Sequence, residues 1–67
     1  MNDKPTIRAT IVEKGDGYAV TVMLTENGQT HQLIETIVLS PFEAEAITRA
    51  HAAFHNILWN KVEVVSQ

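Results

Sequence analysis

His51 and His55 stand four residues apart in the segment HAAFHNILW, a spacing that in a helix places both imidazoles over one spot, as in helical zinc sites. A zinc ion needs at least a third protein ligand. The chain has no cysteine, no H-E-x-x-H motif surrounds the pair, and His31 and Glu35 are the only distant candidates to complete a set. A small metal-dependent protein using His51 and His55 is thus one expectation, weighed against two histidines lining a mildly polar boundary or interface. Glu13 and Glu35 form a second constellation, because a register drawn from a hairpin corner at Asn27 and Gly28 brings both beside Val20. Two carboxylates sharing an edge of low dielectric can act as acid and base. The plainer alternative places Glu13 beside a turn and lets a bulge turn Glu35 outward, in a domain with little room for a ligand-sized pocket. No serine or cysteine sits in a nucleophile elbow, and the glycines of GDG and NG lack the spacing of a phosphate loop. The expectation is a non-enzyme with no cofactor and no small-molecule ligand.

The elements that must position these groups follow from periodicity. TIRATIVEK alternates at period two and ends in GDG, which predicts a strand and a reversal. YAVTVMLT repeats the pattern and runs into ENGQ, where Asn27-Gly28 suits a two-residue type I′ hairpin. A third strand over residues 30–39 follows. The period then changes at SPFE, with Ser40 as N-cap, Pro41 in the first helical position and Glu43 placed to close a capping box. The helix is predicted to run to about Trp59, with Asn60 as its left-handed C-cap. KVEVVSQ reads as a short fourth strand or an extended tail. The expected fold class is α+β: a three-stranded antiparallel sheet in β-β-β-α order, packed on one C-terminal helix. Residues 1–67 form one domain, with residues 1–5 a flexible lead-in.

Parity assigns Ile7, Ala9, Ile11, Tyr18, Val20, Val22, Leu24, Leu33, Ile37 and Leu39 to the face beneath the helix. The open face then shows threonines together with Val12, Met23, Ile34 and Val38, more apolar than water requires. A bulge in the third strand would bring Ile34 and Val38 inward instead, since LIETIVL is apolar at both parities. On the helix, Ala46, Ile47, Ala50, Ala53, Phe54, Ile57 and Leu58 group into one stripe, with Phe42 at its margin, and are expected to face the core. Ala44, Thr48, His51, Ala52, His55 and Trp59 remain on the far side, a partner surface in which small residues let another backbone approach and an indole anchors it. The alternative for Trp59 is that it folds back under the C-terminal VEVV segment and belongs to the core. Val12, Met23, Ile34 and Val38 are the alternative partner surface.

Composition bounds the function classes. At 67 residues the chain is of a size where one core barely offsets the entropy lost on folding, and without cysteines self-association is the common remaining device. The apolar fraction of 45% against 19% charged residues describes a foldable globular chain. Residues 1–6, MNDKPT, lack the apolar stretch of a secretory signal, and no run reaches the roughly 18 residues of a membrane span. A cytoplasmic location is expected. Five Lys and Arg against eight Asp and Glu give a net charge of −3, which works against a phosphate backbone. A sheet face bearing only Arg8 and Lys14 leaves a nucleic-acid-binding regulator as an alternative. In size, lack of cysteine and mild acidity the chain resembles small proteins of phages and mobile elements, including anti-CRISPR inhibitors, a likeness that maps no functional position. The leading expectation is a homodimeric protein-binding module, an inhibitor or adaptor.

Overall fold

The computed structural model describes residues 4–67; Met1–Asp3, and with them most of the expected flexible lead-in, lie outside the described residues. Lys4 is exposed and Pro5 half-buried ahead of the first strand. The elements run β1 (Thr6–Lys14), β2 (Gly17–Glu26), β3 (Gln29–Val38), α1 (Pro41–Phe54), a 3-10 turn (Trp59–Lys61) and β4 (Val62–Ser66). The fold is α+β, with three antiparallel strands followed by one helix and a short fourth strand. Sheet order is β3-β2-β1-β4, and β4 pairs with β1 in parallel, Ile7 beside Val62 and Ile11 beside Ser66. A parallel neighbour needs a crossover connection, and α1 supplies it.

Both hairpin corners follow from backbone freedom. Asn27 and Gly28 have φ of 52° and 77°, the two positive values a type I′ turn demands, and Glu26 pairs with Gln29 as the corner requires. Between β1 and β2 the corner is Gly15-Asp16, with Lys14 opposite Gly17 and φ of 60° at Gly15.

From the Asn27-Gly28 corner the β2–β3 register proceeds as expected to Met23 opposite Gln32, and then shifts. Val22 lies opposite Ile34 rather than Leu33, Val20 opposite Thr36 rather than Glu35, and Tyr18 opposite Val38 rather than Ile37. Leu33 is the extra residue of a β-bulge, so every side chain beyond it changes face. Val38 is buried, Ile34 packs against the core, and Ile37 is exposed, as is Leu39 beyond the strand. The bulge thus realises the alternative reading of β3. It corrects the placement of Ile34 and Val38 on the open face, and of Ile37 and Leu39 beneath the helix. The physical reason is that both parities of LIETIVL are apolar, so hydrophobicity alone does not select one.

The helix α1 starts where the sequence implies, with the Ser40 half of the expected capping box formed. Ser40, in extended conformation, accepts a hydrogen bond from the Glu43 backbone N–H at 3.2 Å, with Pro41 next in line. Its end differs. The helix stops at Phe54, five residues short of Trp59, and the left-handed residue is Asn56 with φ of 58°, not Asn60. Asn56 N–H donates to Ala53 O at 3.0 Å and Ile57 N–H to Ala52 O at 2.8 Å, the bond pair of a Schellman motif. This reversal sends Ile57 into the core from beyond the helix.

The core lies between α1 and one sheet face: Ile7, Ala9, Ile11, Val20, Val22 and Leu24 from the first two strands, Val38 from β3, and Ala44, Ala52 and Ile57 from the helical segment. Burying each large aliphatic contributes roughly 1.5–3 kcal/mol. The sheet carries the bulk, and the helix meets it with small residues. No helix among the described residues is long and apolar enough to cross a membrane.

Candidate functional site

The helix face expected to meet a partner is instead the face that meets the sheet. Ala44 and Thr48 are 0% exposed and Ala52 is nearly so, while His51, His55 and Trp59 are half-buried around them. The expectation of Ala44, Thr48, His51, Ala52, His55 and Trp59 as an open partner surface is therefore corrected. Three of the six lie inside the monomer. The cause is volume: strands rich in Ile and Val fill the interlayer space, so the helix approaches closely only through small side chains. Thr48 is tolerated there because its Oγ1 donates to Ala44 O at 2.8 Å, one turn back, leaving no unpaired polar atom.

The two histidines border the bulge. With Leu33, Ala50 and Phe54 they line a shallow depression between α1 and β3, and Phe54 meets His55 edge to face at 5.3 Å. Among the described residues no group of three or more His, Cys, Asp or Glu is placed to hold a metal ion. Glu13 lies opposite Tyr18, on the parity of the core face, whereas Glu35 lies opposite Thr21 on the other face. The bulge therefore separates the two carboxylates that the regular register would have brought together.

Trp59 sits in the 3-10 turn beneath Arg49, whose guanidinium carbon is 4.2 Å from the ring centroid. Such a cation–π contact is worth about 0.5–1 kcal/mol at an exposed site. Arg49 Nε also lies 3.6 Å from Glu45 Oε2, one turn earlier. The half-buried indole is thus covered by a side chain of α1 and does not project as a free anchor.

On the open sheet face, Val12 is exposed and Met23 half-buried, as two of the four alternative surface residues were expected to be. Arg8, one of the two cations expected to serve that face, is hydrogen-bonded through Nε to the Glu63 carboxylate on β4.

What the outward side of α1 carries is the other notable feature. Phe42 and Phe54 are each 81% exposed, with Ala46, Ala50 and Ala53 in a strip between them. These residues had been expected in the core. The signal that identifies them as outward is Asn56: a helix ending there removes Ile57 and Leu58 from the helical wheel, and with them the reason for turning the phenylalanine side inward. Leu58, just past the reversal, is itself 69% exposed.

The resulting surface is a largely apolar helix face, flanked by Glu45 and Arg49 on one side and by the exposed Glu43 on the other, able to bind another apolar surface. Comparison with protein-family models, with curated proteins and with solved structures finds no match to this chain.

Proposed function

We propose that the chain is a non-enzymatic protein-binding module, an inhibitor or adaptor, that engages its partner through the outward face of α1. The observation that carries this reading is the exposure of Phe42 and Phe54 at the two ends of an alanine strip. Two phenylalanines at this exposure offer water on the order of 300 Å². That alone equals the largest apolar patch of many monomers. Alanines between them let a second backbone come close, and aromatic side chains are the usual anchors of an interface. The face is held by the Ser40 cap at one end and the Asn56 reversal at the other, so little ordering entropy is lost on docking.

The test is a photo-crosslinking amino acid at Ala50, which is exposed at the middle of the strip, introduced in the cells that make the protein. Covalent protein adducts are expected, and they should disappear when Phe42 and Phe54 are both changed to Glu while the circular dichroism spectrum is retained. A protein that yields no adduct at Ala50 has no partner on this face.

A further inference from the structure

We infer that the occupant of this face is a second copy of the same chain, packed helix against helix and antiparallel about a two-fold axis at the level of Thr48; the inference rests on the protein-binding reading above. Phe42 and Phe54 lie six residues on either side of Thr48 along the helix. A two-fold axis there lays the alanine strip of one copy on that of the other, with Phe42 on the Arg49 flank and Phe54 on the opposite flank of each helix. Closed self-pairing of this kind requires one patch that complements itself.

The flanking charges satisfy the same symmetry. In an antiparallel pair related by a two-fold axis, each flank of a helix faces the identical flank of its mate. Glu45 and Arg49 share one flank, three residues before and one after the axis level. Glu45 of one copy therefore comes within about 3 Å, along the axis, of the height of Arg49 in the other, and the pairing occurs twice. Arg49 is free to respond: its side chain is half exposed, and its 3.6 Å approach to Glu45 is longer than a hydrogen bond. Its guanidinium carries five N–H donors, enough to serve Trp59, its own Glu45 and a second carboxylate. A parallel pair would lose these reciprocal contacts and align the two helix dipoles unfavourably.

The area sets the strength. Helices of 14 residues overlap over about 21 Å, and the patch hidden per copy falls short of the roughly 800 Å² of a standard interface. The dimer is of the weak, reversible class.

Sedimentation equilibrium of the full chain, from micromolar to millimolar concentration, tests this. The expected result is a monomer–dimer equilibrium that Ala50→Glu shifts to monomer throughout, with the monomer's thermal midpoint unchanged. Glu45→Arg and Arg49→Glu should each weaken the dimer at least tenfold, because each creates two like-charge contacts. The double exchange should return it to within about threefold of the original. A chain that is monomeric throughout, a dimer indifferent to Ala50→Glu, or single charge reversals without effect would each overturn the inference. A monomer that still forms Ala50 adducts with a different protein refutes the self-pairing and keeps the protein-binding reading; a chain with no adduct at all refutes both.

Discussion

Ile57 donates its backbone N–H to the carbonyl of Ala52 at 2.8 Å, across a residue, Asn56, whose φ is 58°. This contact ends α1 and turns a residue that would have extended the helix into a core residue. It also decides which side of α1 meets the sheet.

Asn56 occupies a conformation that costs a β-branched side chain about 1–2 kcal/mol. Asn56→Val should lower the unfolding free energy from urea titration by that amount, whereas Asn56→Gly, free of the Cβ penalty, should leave it unchanged or raise it. Equal effects of the two would mean that the helix does not reverse there.

The orientation of α1 predicts an asymmetry between neighbouring alanines. Ala52→Leu forces three extra carbons between helix and sheet and should cost about 1–3 kcal/mol. Ala50→Leu, on the outward side, should stay within about 0.5 kcal/mol in the monomer. Thermal melts at low concentration compare the two directly.

Gly17 begins β2 where the end of β3 passes close by. A Cβ there would lie 2.7 Å from Val38 O and 3.2 Å from Ile37 Cγ2. A backbone oxygen gives way only if the strand moves, so Gly17→Ala should cost about 1–3 kcal/mol, by the strain of overpacking. Gly15→Ala meets no such neighbour and is disfavoured only by its φ of 60°. Denaturant melts of the two variants, with amide chemical shifts of Val38 as a local readout, separate steric conflict from backbone strain.

Arg49→Ala removes the cover of the indole. Quenching of Trp59 emission by iodide should increase, with a stability loss of about 0.5–1 kcal/mol. Arg49→Lys should fall between the two, since an ammonium retains the charge but not the flat stacking surface. Quenching that is the same in all three proteins would contradict the contact.

Most of the framework could be read from the residues. Strand alternation, the Asn27-Gly28 corner and the Ser40-Pro41 helix start depend on local backbone chemistry, which a short window contains. The β3 bulge and the facing of α1 do not. At LIETIVL both parities are apolar, and the choice is made by Val22 accepting Ile34 across the ladder rather than Leu33. On α1 two apolar stripes compete, and size favoured the wrong one: phenylalanines suggested a core, yet the interlayer space was already occupied by Ile7, Val20, Val22 and Leu24. The candidate surface was inverted for that reason alone. Glu13 and Glu35 were separated by the same single inserted residue.

The parallel pairing of β4 with β1 has a consequence for refolding. Arg8 and Glu63, bonded across that pair, are separated by 55 residues of chain, whereas β2 reaches the other side of β1 across a two-residue corner, so the outer neighbour is the slower one to close. Until β4 docks, the hairpins present an open row of amides and carbonyls along β1 that any extended segment can copy. Refolding from denaturant at rising protein concentration should therefore lose a growing fraction to aggregates, and a chaperone that shields strand edges should recover it.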